Sequence, residues 1–250
     1  MRQCTLNLTN DVKKEAQKVG FVAIGISNLE TLKDLPYGRN NYIGVLRRPE
    51  QELRGVKSVI VMAIHAWDTV FNLVVDSSSL QSDPKNRPKI LLESYQLYSQ
   101  IARNKAWTLA HYLERRGFEA IPSGAIPLKT AAVKAGLGCQ GKNSLLVTPM
   151  YGPRVRLVSV LTNAKLDVDE PFKEDLCRGC TKCMLACPVK AIEPYKLTVN
   201  KCIVYASEYP RSRSISPETK ESEKRLTKRP TSHSFIECST CLEACPIGRA

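Results

Sequence analysis

The sequence lacks a long apolar run. Its longest mostly apolar stretch, residues 59–75, is interrupted by His65 and Asp68, so it is too short and too polar to cross a bilayer. The first residues, MRQCTLNLTNDVKKEAQ, contain neither the apolar segment of a secretory signal nor a pair of arginines. We therefore expect a cytoplasmic protein with no membrane partner.

Histidine is also scarce. Three histidines occur among the 250 residues, His65, His111 and His233, and none lies in a recognisable ligand motif. Cysteine, in contrast, is abundant and clustered: eight of the ten cysteines follow residue 176. The metal chemistry expected of this chain therefore depends on its C-terminal cysteines.

Two cysteine runs dominate the C-terminal third. The first reads CRGCTKCMLACP and begins at Cys177, which is the C-x2-C-x2-C-x3-C-P spacing of bacterial ferredoxins. In that motif three thiolates bind one 4Fe–4S cluster and the fourth normally binds a second cluster. The second run, CSTCLEACP from Cys238, is one cysteine short, and Cys202 can supply the missing ligand.

The spacing thus predicts two 4Fe–4S clusters with crossed ligand sets. The first set is Cys177, Cys180, Cys183 and Cys245, and the second is Cys187, Cys202, Cys238 and Cys241. Structural zinc is the main alternative, but zinc sites usually use two separated pairs of ligands, which eight cysteines in two such runs fit poorly. A disulfide framework is disfavoured because the chain is neither short nor preceded by a secretory signal.

The charge balance is basic. Lys and Arg total 37 against 24 Asp and Glu, a formal net charge of +13. Two clusters with four thiolates each would lower this to about +9. The surplus favours an anionic partner, which can be nucleic acid, an acidic electron donor or an anionic substrate.

Hydrophobic patterns predict a mixed architecture. Helices are predicted at 10–19, 90–116 and 128–135, and strands at 21–26, 56–64 and 118–122. Residues 143–148 and 154–163 flank a turn at 149–152 and predict an antiparallel hairpin, which favours an α+β fold over a parallel sheet. Polar loops are predicted at 36–55, with one helical turn, and at 76–88, and residues 211–234 are predicted to be a solvated, mobile basic insertion or a docking surface.

Gly136, Gly138 and Gly141 match the dinucleotide-binding pattern G-x-G-x-x-G. The order of elements is reversed, however, since a helical pattern precedes the glycines and a strand-like segment follows them. We therefore reject a Rossmann site. Three glycines in six residues still allow the backbone to approach a flat or bulky ligand without clashes from Cβ atoms.

Residues 117–166, GFEAIPSGAIPLKTAAVKAGLGCQGKNSLLVTPMYGPRVRLVSVLTNAKL, lead into the first cysteine run. This segment resembles the core of corrinoid-dependent reductive dehalogenases and is similar to epoxyqueuosine reductases, as is RRPEQELRGVKSVIVMAI at 47–64. The resemblance implies a nitroreductase-like, cobalamin-binding α+β domain at 1–166. It implies a bacterial-ferredoxin-like domain with two 4Fe–4S clusters at 167–250, carrying the basic insertion. It also implies base-off cobalamin without a histidine ligand, consistent with the scarcity of histidine.

The resemblance suggests site residues. Corrinoid contacts are expected from Gly136, Leu137, Gly138, Cys139, Gly141, Tyr151 and Arg154. Lys142 is expected to donate a proton or hold a charge, together with Tyr95 or Tyr98. The plainer alternatives are a surface lysine, tyrosines in the apolar stripe of a helix, a buried and inert Cys139, and a structural turn at Tyr151 and Arg154.

The sequence also departs from both families. Epoxyqueuosine reductases carry a catalytic aspartate before the glycine loop, whereas no aspartate lies between Phe118 and Lys142, and the sequence ends five residues after Cys245 without their tRNA-binding repeats. Dehalogenases typically read GLGE, and here Cys139 replaces the glutamate, while the respiratory ones carry a twin-arginine leader. We therefore expect a cytoplasmic relative of both.

Three functions follow as hypotheses. The first is a cobalamin-dependent reductase of a small molecule, supplied with electrons by a ferredoxin- or flavodoxin-type donor through the two clusters. The second is an electron-transfer or corrinoid-reactivating protein without its own small substrate. The third is a tRNA-modifying reductase, which the basic surplus favours and the missing aspartate and repeats disfavour.

Overall fold

The computed structural model describes residues 2–40, 44–66, 92–209, 212–231 and 234–248. Its helices in that part are α1 (Arg2–Val19), α2 (Leu29–Leu32), α3 (Pro49–Glu52), α4 (Ser94–Glu114), α5 (Leu128–Lys134), α6 (Lys182–Ala186), α7 (Ile203–Glu208), α8 (Pro217–Leu226) and α9 (Thr240–Glu243), with a 3-10 turn at Val199–Lys201. Its strands are β1 (Ala23–Ser27), β2 (Gly38–Asn40), β3 (Gly44–Leu46), β4 (Ser58–His65), β5 (Leu92–Glu93), β6 (Ala120–Ser123), β7 (Cys139–Gln140), β8 (Leu146–Val147), β9 (Val155–Thr162), β10 (Ile192–Glu193), β11 (Lys196–Leu197), β12 (Lys228–Thr231) and β13 (Ser234–Ile236).

An antiparallel sheet organises the first part of the chain. Within the described residues its strand order is β1-β4-β9-β6, and every neighbouring pair is antiparallel. β4 is central and buried along nearly its whole length, as its apolar sequence predicted. The α+β class inferred from the sequence is confirmed, while the nitroreductase-like assignment of this domain stays a prediction.

Both faces of the sheet are covered by helices. Side chains alternate along a strand, so Ile60, Met62 and Ile64 of β4 pack with α1 and α4, whereas Val59, Val61 and Ala63 pack with α2 and α5. The predicted long helix is confirmed as α4, and its buried stripe contains Tyr98, Ala102, Ala106, Leu109 and Leu113. This three-layer arrangement explains why β4 is apolar on both faces.

The boundaries of several elements differ from the predictions. The first helix begins at Arg2 rather than near Asn10, and it ends at Val19, directly before Gly20, whose φ of +98° suits glycine. The segment 36–55 contains the predicted helical turn as α3, but it also contains the hairpin β2–β3. The predicted loop at 76–88 lies outside the described residues.

The hairpin predicted at 143–163 is wrong in its pairing. β9 bonds to β4 and β6 in the main sheet, and β8 bonds instead to β7 through a tight turn in which the Gly141 amide donates to the Leu145 carbonyl. β9 has eight residues, as does β4, so the long strand satisfies its ladder in the sheet and leaves β8 to a short partner.

The basic segment 211–234 is largely folded, which corrects its prediction as a mobile loop. α8 begins with Ser216 as its cap and Pro217 in the first turn, and its Thr219 and Glu223 are buried. The Ser207 hydroxyl of α7 donates to the Glu223 carboxylate at 3.0 Å. β13 pairs in parallel with β5, directly before α4, so this segment also joins the first part of the chain.

The segment 164–175, which leads into the first cysteine run, bonds to the edge strand β1 and to α1. The Asp169 amide donates to the Ile26 carbonyl, and the Asp169 carboxylate accepts from the Ile26 amide at 2.8 Å. The Thr9 hydroxyl donates to the Asp167 carboxylate at 3.1 Å. These bonds join residues beyond 166 to α1 and β1, so the domain boundary near residue 166 stays a prediction.

No helix of the described residues has the length and apolar character needed to cross a membrane.

Candidate iron–sulfur centres and the adjoining cavity

The structure places the eight C-terminal cysteines in the two groups that their spacing predicted. Cys177, Cys180, Cys183 and Cys245 line one small cavity, and Asn143 and Val147 of the first domain complete its wall. Three of these cysteines come from the first run and the fourth comes from the second run. The short helices α6 and α9 lie within the two runs and pack against each other, which brings Cys245 to the first run.

The remaining four cysteines line a second, larger cavity of about 490 Å³. These are Cys187, Cys202, Cys238 and Cys241. Burial raises the pKa of Cys202, and burial together with the neighbouring cysteines raises the pKa of Cys241 to about 12. Thiols crowded in this way retain their protons unless a cation compensates their charge, and the iron of a cluster supplies that compensation.

The two sets suit cubane clusters in chemistry. Within the described part of the chain, no three His, Cys, Asp or Glu side chains converge on the position of one metal ion. A cubane takes one thiolate at each of four separate irons, so its ligands surround a volume rather than a point. The Ala191 amide also donates to the Cys187 sulfur at 3.3 Å, a contact of the kind that tunes cluster potentials.

Lys142 lies beside the first cysteine set. Its ammonium group donates to the carbonyl oxygens of Arg178 at 2.6 Å and Cys180 at 2.9 Å, and the residue is 9% exposed. Two of its three N–H donors therefore bind the backbone of the loop between Cys177 and Cys180. It is not the surface lysine of the plainer alternative, and this position suits a role in holding that loop more than the predicted proton donation.

The glycine loop is occupied by the chain itself. A Cβ atom at Gly138 would lie 2.1 Å from the Val147 carbonyl oxygen, and one at Gly136 would lie 2.6 Å from the Glu170 carbonyl oxygen. At Gly141 it would lie 2.6 Å from the Val147 side chain. These glycines are thus needed for contacts within the protein, and the corrinoid contacts predicted for the loop stay predictions.

Tyr151 and Arg154 connect the first domain to the second cysteine run. The Arg154 guanidinium donates to the carbonyl oxygens of Leu242, Cys245 and Ile247 at 2.8–2.9 Å. The Tyr151 ring packs against His65 at the end of β4, with ring centroids 5.1 Å apart. The turn has the structural role that was the plainer alternative, and the predicted corrinoid contacts of both residues stay predictions.

The other predicted site residues are separated. Tyr98 is 3% exposed and belongs to the core between α4 and the sheet, on the opposite face from the glycine loop that leads to Lys142. The Tyr95 side chain lies outside the described residues. Cys139 is buried, and burial raises the pKa of its thiol, which fits the inert alternative. Leu137 is a core residue of the other face.

Lys129 was not among the site residues predicted from the sequence. It lies in the first turn of α5, its ammonium group donates to the Ser144 carbonyl at 3.3 Å, and it lines the large cavity with Arg156. Its side chain is solvent-accessible in the cavity, although protein atoms crowd its ammonium group. The partial desolvation by these atoms, followed by the charge of Arg156, lowers the pKa of Lys129. A lysine in the first turn opposes the helix dipole, which was the signal available in the sequence.

The cysteine region matches a known family. Residues 176–248 match the family described as a 4Fe-4S double cluster binding domain, which supports the two predicted clusters over zinc. The match spans both cysteine runs, Cys202 and α8. The basic segment is therefore enclosed within this domain.

Curated relatives are of two kinds. The chain is 26% identical to the epoxyqueuosine reductase of Bacillus cereus over 263 aligned positions, which cover 96% of this chain and 64% of that protein. It is 38% identical to the tetrachloroethene reductive dehalogenase of Dehalobacter restrictus over 124 positions, which cover 45% of this chain and 22% of the dehalogenase. The chain thus spans less than two thirds of the length of these relatives.

Solved structures of the same two kinds share the fold. The epoxyqueuosine reductase of Bacillus subtilis superposes with a TM-score of 0.70 at 21% identity, covering 98% of this chain and 66% of that one. A catabolic reductive dehalogenase superposes with a TM-score of 0.60 at 19% identity, covering 96% of this chain and 31% of that one. The predicted resemblance is confirmed: the chain is related to the superfamily of iron–sulfur reductases that includes epoxyqueuosine reductases and reductive dehalogenases.

Proposed function

We propose that this chain is an iron–sulfur reductase that removes the epoxide oxygen of a modified nucleoside in tRNA. The observation that carries the proposal is the cavity of about 490 Å³, where the second cysteine set and the first domain face one space. The relatives favour this substrate, since the match to an epoxyqueuosine reductase covers 96% of the chain. One such reductase has been solved with an epoxyqueuosine-modified tRNA stem loop, and it superposes with a TM-score of 0.68. The net charge of +13 suits an RNA partner.

The proposed reaction takes two electrons and two protons. Both C–O bonds of the epoxide break, a carbon–carbon double bond forms, and the oxygen leaves as water. Each 4Fe–4S cluster passes one electron at a time, so the two electrons come in succession from an external reductant. A ferredoxin- or flavodoxin-type protein is the proposed donor.

Cobalamin belongs to this proposal through the family resemblance. Internal packing already accounts for the glycines of the loop, because their Cβ positions face their own chain. The cavity suits a corrin ring, since Leu128, Leu146 and Leu157 provide apolar walls and Lys129 and Arg156 provide polar groups. A corrinoid bound there would supply the electron-rich metal that performs the reduction. The residues around it would orient the substrate and deliver protons.

Lys129 is the proposed proton donor. The departing oxygen needs a proton inside a largely apolar cavity, and Lys129 faces that cavity. Burial and Arg156 lower the pKa of Lys129, which makes its ammonium group a stronger acid near neutral pH. This assignment also accounts for the absence of an aspartate between Phe118 and Lys142.

The test uses the protein reconstituted anaerobically with iron, sulfide and cobalamin. It receives a chemical reductant and a tRNA stem loop that carries the epoxide nucleoside. After digestion, mass spectrometry is expected to show a nucleoside that has lost one oxygen. An unchanged nucleoside in the presence of two fully reduced clusters would overturn the proposed substrate.

A reductive dehalogenase is the second candidate, favoured by the 38% identity over 124 residues. In that reaction a carbon–halogen bond takes two electrons and one proton, and halide leaves. A parallel assay with a bromophenol measures bromide release. Bromide without nucleoside conversion would establish this candidate, and neither product with both clusters reduced would favour the electron-transfer function.

A further inference from the structure

Two cations of the first domain hold the two loops that supply the first cysteine set. Lys142 binds the carbonyls of Arg178 and Cys180 at 2.6 and 2.9 Å, within the loop that carries Cys177 and Cys180. Arg154 binds the carbonyls of Leu242, Cys245 and Ile247 at 2.8–2.9 Å, around the fourth ligand. The four ligands come from segments more than 60 positions apart in the sequence, and these cations fix both segments to one domain.

The first domain also closes this site sterically. Asn143 and Val147 line the cavity of the first set. A Cβ atom at Gly152 would lie 2.1 Å from the Ile247 carbonyl oxygen, and one at Gly248 would lie 2.1 Å from the Tyr151 carbonyl carbon. The turn before β9 therefore lies in direct backbone contact with the end of the second cysteine run.

We propose that Lys142 and Arg154 are positioning residues of the first cluster, which they hold in place and whose reduction potential they raise. Each reduction adds a negative charge to a cluster, and a nearby fixed cation stabilises that charge. Lys142 is buried and Arg154 is partly buried, so solvent ions screen their charges less than those of exposed side chains. The first cluster thereby becomes easier to reduce than it would be without Lys142 and Arg154.

The two residues act differently. Arg154 makes three bonds through a planar guanidinium, which a lysine cannot reproduce, whereas Lys142 is a point charge that an arginine can partly replace. Arg154→Lys thus keeps the positive charge but cannot make all three hydrogen bonds to the carbonyls of Leu242, Cys245 and Ile247, which we call the Arg154 clamp. Lys142→Met removes the charge and leaves the Arg154 clamp intact.

The test is an EPR-monitored redox titration of the reconstituted protein, with iron analysis of each variant. Lys142→Met should shift the potential of one cluster downward and leave the other unchanged, and Lys142→Arg should restore it. Arg154→Lys should keep that potential close to the wild-type value while the first cluster is lost faster on dilution with a chelator. Lys165→Met is the matched control: Lys165 is exposed and follows the far end of β9, about 26 Å along the strand from Arg154.

A variant that no longer assembles the first cluster is also informative. Loss of about four irons with retention of the EPR signal of the second cluster would support positioning. Loss of both clusters, an unchanged pair of potentials in Lys142→Met, or an equal shift in Lys165→Met would overturn the proposal.

Discussion

Gly138 lies against the carbonyl oxygen of Val147. A Cβ atom at Gly138 would stand 2.1 Å from that oxygen and 2.8 Å from its carbon, closer than any real methyl group approaches. The contact is part of the β7–β8 pairing, in which Cys139 is opposite Val147. The second glycine of the G-x-G-x-x-G pattern is therefore a packing requirement of a small hairpin.

The first prediction follows from this contact. Gly138→Ala should destabilise the apoprotein by about 3 kcal/mol or more, because the neighbouring atoms are backbone and cannot move aside like a side chain. Gly124→Ala is the control, since a Cβ atom there meets nothing within 4 Å. Thermal unfolding of both variants without cofactor is the measurement. A Gly138→Ala protein as stable as Gly124→Ala that fails only in cobalamin binding would instead support the corrinoid contacts predicted for the loop.

The second prediction concerns the ligand partition. Cys245→Ala should remove the first cluster and Cys202→Ala the second, so each variant should retain about four of about eight irons per chain. The physical reason is that the two cysteines line different cavities. EPR spectra of the reduced variants should show two different single-cluster signals. If both variants gave the same residual signal, the crossed assignment would be wrong.

The third prediction tests whether the basic segment is structural. Glu223→Ala removes the buried carboxylate that accepts from Ser207, so unfolding should cost about 1–3 kcal/mol less than in the wild type. Glu221→Ala, on the exposed side of the same helix, should change stability by less than about 0.5 kcal/mol. Urea titrations monitored by circular dichroism compare the two. Equal midpoints would show that α8 does not contribute to the folded core.

Much of the fold was predictable because its signals are local. The cysteine spacing alone predicted the two ligand sets, since in ferredoxin motifs the fourth cysteine of a run binds the second cluster. β4 was predicted correctly because a short, β-branched apolar run is typical of a buried strand. α4 was predicted correctly because apolar residues at steps of three or four form one face of a helix. Gly20 marked the end of α1 for a similarly local reason.

The features that the sequence did not predict depend on contacts between residues that are distant in the sequence. β9 pairs with β4 and β6, which are distant in the sequence, and β8 pairs with β7, so the local pattern did not contain the partners of either strand. α8 was overlooked because its buried side chains, Thr219 and Glu223, are polar. Glu223 accepts from Ser207 of α7, and the Thr219 hydroxyl bonds to that of Ser216, the cap of α8. Lys142 and Arg154 were recognised as important, but their carbonyl partners lie 36–93 positions away, so their contact with the cysteine loops was not visible in the sequence.

The fourth prediction concerns Lys129 and pH. A proton donor must be protonated, so turnover should fall as the pH rises through the pKa of Lys129. Burial and then Arg156 lower that pKa, and this outweighs the opposing effects of Cys202, Cys241 and Glu208, so the alkaline limb should lie below the ordinary lysine value of about 10.4.

Lys129→Met should reduce the turnover number by roughly 10²-fold or more, with a smaller effect on substrate affinity, because a donated proton matters in the transition state. Lys129→Arg should remain slow and lose the alkaline limb, since arginine stays protonated over the whole range. Lys134→Met, exposed on the same helix, should keep the wild-type profile. Lys142→Met should also keep the alkaline limb, because its expected effect is on a cluster potential. An alkaline limb that persists unchanged in Lys129→Arg would assign the proton to another group.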